Sequence, residues 1–205
     1  LSFLNHRPKA KAIKNDMKLP WLELDIKVPT QEILTEFQQV KDQIVKHRSK
    51  DSLLNQTHKG WNSFTIHGIS PSITTEQEGH HAWTSVADQC PNTKQWIEQN
   101  FIINQHTRRI RFMLLEPGGY IMPHKDRDIH KLKEINVAIT NPKGCVFRML
   151  ERGNIPFEPG KAFILDIANR HMIHNDSDQL RLHIILHTDI SDELIERSYE
   201  NCYYS

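Results

Sequence analysis

The 205 residues, 38% of them apolar or aromatic, supply enough apolar chain for one domain with a core and too much for a disordered one. Lys and Arg total 26 against 25 Asp and Glu, a net charge of +1 at pH 7, which argues against a nucleic-acid binder; no apolar run reaches the roughly 18 residues of a membrane helix. Three cysteines, Cys90, Cys145 and Cys202, form no CxxC pair and cannot all be bridged, so a reducing, cytoplasmic compartment is expected.

The first twenty residues are polar and without period, and read as an arm or loose edge. No signal peptide is evident, and the opening Leu1 leaves room for an upstream segment. Residues 21–28, WLELDIKV, alternate like a strand. Ile33, Phe37, Val40 and Ile44 then line one face of a helix from about 31 to 47, a stripe of the kind that packs against a core. Residues 60–66 read as a strand, and 70–85 as a long polar loop of the kind that serves as a lid or binding loop. A second helix is expected over 91–99, opened by Pro91. From Arg108 the character changes. RIRFMLL, KLKEINVAIT, CVFRML, KAFILDIA and LRLHIILH are short β-prone runs, separated by EPGG, TNPKG, ERGNIPFEPG and ANRHMIHNDSDQ, all rich in turn residues. Many short strands at this spacing suggest an antiparallel sandwich or barrel with helices laid on it.

Thirteen histidines invite a metal hypothesis. The chain holds three His-x-Asp pairs: His124/Asp126, His174/Asp176 and His187/Asp189. An imidazole and a carboxylate at i and i+2 of a strand share a face and can grip one ion. Only the first pair follows a strand and a glycine turn with chain left downstream for a further ligand. That ligand is available at His171, with His174 as its rival. Two histidines and a carboxylate on one side of an ion leave positions open on the other, which suits Fe(II) with a chelating cosubstrate and O2; zinc would accept a fourth protein ligand or water. Ten residues past His171 stands Arg181. In alternation it shares a face with His183 and Ile185, while Leu182, Ile184 and Leu186 share the other. An arginine aimed into a β-core is costly unless it meets an anion, and its planar fork suits a carboxylate. The bland alternative is an ion pair with Asp166 or Asp178.

The series PGGYIMPHKD, NPKGC, FEPGKAFILD and RHMIHNDSDQLRLHII, over about residues 108–188, resembles the aspartyl/asparaginyl β-hydroxylase group of Fe(II)/2-oxoglutarate-dependent oxygenases. The resemblance implies a mainly β fold with flanking helices, a double-stranded β-helix (jelly roll, cupin-like). It implies a single oxygenase domain over 1–205: a helix-containing part (1–107) packed on the catalytic β-core (108–190), with a tail (191–205). By its motifs His124, Asp126 and His171 match the iron ligands, and Arg181 matches the arginine that binds the distal carboxylate of 2-oxoglutarate. Asp126 sets this chain closer to the three-ligand members than to the animal protein that names the group. Where the group carries an arginine and a histidine near the cosubstrate, this chain has Lys133 and Ile135, or Asn136 if the register slips by one. The implied activity is hydroxylation of an unactivated C–H bond in an amino acid, free or in a peptide, with Fe(II), 2-oxoglutarate and O2. The near-neutral charge and the lack of a membrane-length apolar run leave nucleic acid and membrane out of the expected partners.

Beside this stand plainer readings. A jelly-roll protein could bind metal or carboxylate without turnover, and a zinc hydrolase could use the same ligands. Gly118-Gly119 reads as a turn, His183 and His187 as solvated or satisfied strand residues, and His80 to Trp83 as surface or substrate contact. Lys125, Arg127, Lys131 and Lys133 form a basic cluster, by default a solvated face and in the lesser reading a carboxylate receptor.

Overall fold

The computed structural model describes residues 19–47, 57–126 and 134–204. The expected N-terminal arm lies almost wholly outside these residues, as do Arg127, Lys131 and Lys133. Strands β1 (Trp21–Glu23), β2 (Val45–Lys46), β3 (His58–Gly68) and β4 (Ala82–Trp83) alternate with helices α1 (Thr30–Val40), α2 (Ser85–Gln89) and α3 (Pro91–Asn100). Then follow β5 (Ile110–His124), β6 (Glu134–Thr140), β7 (Cys145–Met149), β8 (Gly153–Asn154), β9 (Ala162–Leu165), β10 (His171–Asn175) and β11 (Arg181–His187), and a final helix α4 (Asp192–Tyr204).

All pairings are antiparallel, and the sheet folds back on itself. One layer runs β1-β9-β6-β11 and the first half of β5, extended by β3; the other runs from the second half of β5 through β10 and β7 to β8. This is a double-stranded β-helix. Strand β5 belongs to both layers, and the passage between them is at Pro117-Gly118-Gly119. Gly118 takes φ of +66°, a conformation that side-chain-bearing residues avoid. A Cβ on Gly119 would come within 2.9 Å of the Lys59 carbonyl oxygen and 2.7 Å of that of Glu116. The dipeptide read as a turn is therefore a bend inside a continuous strand.

Period-two alternation sorts each strand's residues between two cores. Ile110, Phe112 and Leu114 of β5 and Leu182, Ile184 and Leu186 of β11 pack outward under α1 and α3, against Ile33, Phe37 and Ile97. Leu115, Phe147, Phe157, Phe163 and Ile173 fill one end of the space between the layers. Beyond them the inner face carries polar side chains such as Asn136, His171, Arg181 and His187 among apolar ones such as Met113 and Ile185, and it bounds a cavity rather than a core.

Several expectations need correction. Helix α1 ends at Val40, passes through a 3-10 turn at Lys41–Gln43, and leaves Ile44 extended, because Val45 and Lys46 must ladder with Ser63 and Asn62. Of the strand expected over 21–28 only Trp21–Glu23 is laddered with β9; Leu24 adds one further bond, its amide donating to the Ala162 carbonyl at 2.8 Å. The tail is a helix whose Leu194, Ile195 and Ser198 are buried and whose Asp192 and Glu193 favour its start. The segment ANRHMIHNDSDQ, read as a connection, contains strand β10. The long loop also carries β4, and α2 starts at its end.

Two helices are clamped by a buried carboxylate. Glu36 of α1, 5% exposed, accepts from the Asn92 and Thr93 amides (2.7 and 2.9 Å) and from the Thr93 hydroxyl (2.7 Å). These amides open α3, where no intrahelical acceptor exists.

Candidate metal centre and cosubstrate pocket

His124 closes β5 and His171 opens β10, and the ladder sets them directly opposite each other. Their ring centroids lie 4.3 Å apart. Asp126 stands just past the end of β5, not on a strand face as the i/i+2 argument supposed; its amide donates to the Ile167 carbonyl at 3.2 Å. Its carboxylate still reaches both rings, 3.8 Å from His124 Nε2 and 3.5 Å from His171 Nε2. One ligand atom from each of the three residues falls within 4.8 Å of the others. The Nδ1 atoms face carbonyl oxygens, His124 toward Met122 (2.8 Å) and His171 toward Asn169 (3.0 Å). Donation there places the lone pair on Nε2, the form a metal requires, and fixes each ring plane. Burial disfavours a charge on His171, but its hydrogen bonds to Asp126 and Asn169 prevail and raise its pKa. Two imidazoles and one carboxylate, all on one side, fit the donor set of non-haem Fe(II).

The cluster opens onto a cavity of about 450 Å³ between the layers. Arg181 and Asn136 line it, both nearly inaccessible to water. Arg181 makes no ion pair with Asp166 or Asp178, so the bland reading of this arginine fails. Its Nη2 lies 2.9 Å from His183 Nδ1, and Asn136 Oδ1 lies 2.6 Å from the same nitrogen; an Nδ1 that donates to Asn136 Oδ1 does not also accept from the guanidinium. Burial, opposed by Cys145 and Glu134, pushes Arg181 down to about 10, so it stays cationic at neutral pH. Burial and then Arg181 hold His183 well below its usual range. Arg181 Nε, Asn136 Nδ2 and His183 Nε2 are buried without a partner. Such atoms are costly to leave unpaired, and a guanidinium without a counter-charge suits a carboxylate. The register question is decided: Asn136 faces the cavity, while Ile135 is buried in the helix-side core. Lys133 lies outside the described residues.

The rivals lie elsewhere. His174 pairs with Asp176 at 2.9 Å and does not join the three-residue cluster. His183 is fully buried, and His187 lines the cavity, so neither is a solvated strand residue. Lys125 is exposed at the cavity edge. The 70–85 segment reaches the cavity through Glu76. Its Thr74 carbonyl accepts from Arg109 and Arg111, each at 2.9 Å, and its Glu76 pairs with Arg109 at 2.8 Å. His80 is exposed. Sequence reasoning missed Arg111, Glu134, Trp61 and His47 on the cavity wall. For Arg111 a signal existed, because RIRFMLL alternates: if Ile110, Phe112 and Leu114 face one way, Arg109 and Arg111 face the other.

A double-stranded β-helix with a His/Asp/His cluster between facing strands and an unpaired arginine inside the barrel has the architecture of Fe(II)- and 2-oxoglutarate-dependent oxygenases. The family model for aspartyl/asparaginyl β-hydroxylase matches residues 28–191, and the chain belongs to that family. It is a 2-oxoglutarate-dependent hydroxylase whose cofactors are Fe(II), 2-oxoglutarate and O2. Solved structures agree on the fold. A Pseudomonas putida prolyl-4-hydroxylase is 15% identical, with a TM-score of 0.53 over 89% of this chain and 99% of that one. A prolyl hydroxylase from Trichoplax adhaerens, in complex with a hypoxia inducible factor oxygen degradation domain peptide fragment, is 12% identical, with a TM-score of 0.58 over 93% and 91%. A 2OG-Fe(II) oxygenase family oxidoreductase from Burkholderia pseudomallei is 9% identical, with a TM-score of 0.53 over 93% and 95%. At these identities the likeness concerns the fold. No curated protein matches the sequence. No helix among the described residues is long and apolar enough to cross a membrane.

Proposed function

We propose that this hydroxylase acts on an unactivated C–H bond of an amino acid, free or within a peptide, with His124, Asp126 and His171 as its iron ligands. The observation that carries this reading is the meeting of those three donors at one side of a cavity that also holds an arginine without a counter-ion. When bound, iron and 2-oxoglutarate supply with O2 the oxidising power of the reaction: the substrate C–H becomes C–OH, and 2-oxoglutarate becomes succinate and CO2.

The chain's own residues do the rest. The carbonyls of Met122 and Asn169 hold the imidazoles with Nε2 toward the metal position. Asp126 adds a negative oxygen ligand, and its amide's bond to Ile167 ties that loop down. Arg181, steadied by His183, receives the distal carboxylate of 2-oxoglutarate. Asn136 offers its unpartnered Nδ2 toward the cosubstrate. Phe147, Ile173 and Ile185 line the cavity with apolar surface and reduce its water content. The Trichoplax relative holds a peptide, so this fold admits a peptide as well as a small molecule.

The test is succinate release from 2-oxoglutarate with Fe(II) and ascorbate, across a panel of amino acids and short peptides, with mass spectrometry for the gain of one oxygen. Turnover coupled to an oxygen gain supports the reading. Release that never couples to any amino-acid or peptide substrate refutes the substrate class.

A further inference from the structure

Three carboxylates line the cavity among the described residues. Asp126 belongs to the metal cluster, and Glu76 pairs with Arg109 at 2.8 Å. Glu134, at the start of β6, is the third, and it is 8% exposed. It forms no ion pair with an arginine or lysine among the described residues. Its one approach to a basic group is from Oε2 to His187 Nε2, at 3.6 Å. That nitrogen also lies 3.3 Å from Nη2 of Arg111, and an Nε2 that accepts from the guanidinium does not donate to the carboxylate. Burial lowers the pKa of His187 despite its contact with Glu134, so the ring is neutral at pH 7. A carboxylate so enclosed is unfavourable unless a donor or a cation completes it.

Neither the cosubstrate nor the metal accounts for this group. 2-Oxoglutarate carries a negative charge at each end, and a carboxylate on the wall repels both. Glu134 ladders with His187, at the last position of β11, whereas Arg181 stands at the first. The two charges thus sit toward opposite ends of the cavity wall. The charge of Glu134 is felt by His171, which puts it at the metal end, yet the cluster is made of His124, Asp126 and His171 without it. Arg111 engages the Thr74 carbonyl and His187 and forms no ion pair with Glu134. The resemblance called for an arginine and a histidine on this strand; the register that turns Asn136 inward puts Glu134 in the arginine's place. The sign of the charge at that position is therefore reversed in this chain.

We propose that Glu134 is a specificity-determining residue that receives a cationic group of the primary substrate, an ammonium or a guanidinium, at the metal end of the cavity. The proposal rests on the oxygenase reading above and adds a charge requirement to what is oxidised. The cation has two possible sources, the α-ammonium of a free amino acid or a basic side chain in a peptide. A peptide chosen for an acidic side chain alone leaves this carboxylate unmatched.

The test uses the full chain loaded with Mn(II) and N-oxalylglycine, an inert analogue of 2-oxoglutarate, so that binding is read by calorimetry without turnover. Free L-amino acids are compared with their 2-hydroxy acids (for proline, tetrahydrofuran-2-carboxylate), which replace the ammonium by a neutral group. The peptides acetyl-Ala-Lys-Ala-amide and acetyl-Ala-Arg-Ala-amide are compared with their norleucine and citrulline counterparts. On unaltered protein at least one cation binds roughly 10- to 100-fold more tightly than its neutral counterpart. Preference confined to the free amino acids identifies the α-ammonium, preference confined to the peptides identifies a basic side chain, and preference in both sets admits both. Glu134→Gln abolishes the preference, and Glu134→Asp, which keeps the charge on a shorter arm, retains part of it; both variants keep wild-type affinity for Mn(II) and N-oxalylglycine. Equal binding of cation and neutral counterpart by unaltered protein, or binding of none of the probes, overturns the proposal. So does a Glu134→Gln variant that retains the preference, or one that loses N-oxalylglycine instead, which would make Glu134 a support of the cosubstrate site. If unaltered protein fails to bind N-oxalylglycine at all, the oxygenase reading itself has failed, and the two failures are told apart.

Discussion

Arg181→Met separates two effects that the cavity combines. In the ligand-free protein the guanidinium is 3% exposed, and burial holds its pKa at about 10. That corresponds to a penalty on its charge on the order of 3 kcal/mol. Methionine keeps much of the side-chain length and removes the charge, at the cost of the contact with His183, worth about 1 kcal/mol. The ligand-free variant is therefore expected to gain about 1–2 kcal/mol in urea unfolding. Its affinity for 2-oxoglutarate moves the other way. A buried carboxylate deprived of its partner loses about 3–5 kcal/mol, or roughly 100- to 5000-fold in Kd. Calorimetric titration of 2-oxoglutarate into Mn(II)-loaded protein reads that loss. Mn(II) affinity itself should not change, because Arg181 touches none of His124, Asp126 or His171. A 2-oxoglutarate affinity within about threefold of wild type, or loss of Mn(II) binding, refutes the assignment of Arg181.

Three further outcomes are expected. His124→Ala and His171→Ala each abolish Fe(II) binding and turnover, whereas His174→Ala leaves both intact; metal titrations giving the opposite pattern would reverse the assignment. Added Zn(II) inhibits the iron-loaded protein by occupying the same ligands, and Zn(II)-supported hydrolysis of an ester or amide panel would instead favour the zinc reading. Glu36→Ala removes the acceptor for two α3 amides and the Thr93 hydroxyl and should lower stability by about 2–4 kcal/mol in urea unfolding, with Mn(II) affinity retained. A loss below about 1 kcal/mol would mean that water caps the helix as well as the carboxylate does.

The catalytic end of the chain was legible because strand alternation carries its geometry. LRLHIILH puts Leu182, Ile184 and Leu186 on the helix-side core and Arg181 on the cavity side, and the structure has that face assignment. Strand β10 escaped notice because Asn169 before it, Asn175 at its last position and Asp176 after it are turn-forming residues, yet its ladder with β5 and β7 outweighs that local preference. The end of α1 was overextended for a related reason. Ile44 continues the helical stripe in sequence, but pairing of Val45 with Ser63 requires extended backbone there. Asp126 was placed near the metal by an argument about strand faces that its loop position does not obey; the amide bond to Ile167 holds it instead. The inward face of Arg111 was readable in RIRFMLL, but its burial with an unpartnered Nε depends on neighbours distant in sequence.

The course of β5 through both layers makes it a measuring rod for the reaction. A single uninterrupted backbone carries Arg111 at one end and His124 at the other, with the glycine pair between them. The spacing between the buried Arg111 and the His/Asp/His cluster is thus written in residue count rather than left to two separately mobile segments. One inserted residue near Gly118 would invert the side-chain alternation beyond it and swing His124 away from His171, while the helix-backed half of the barrel kept its shape.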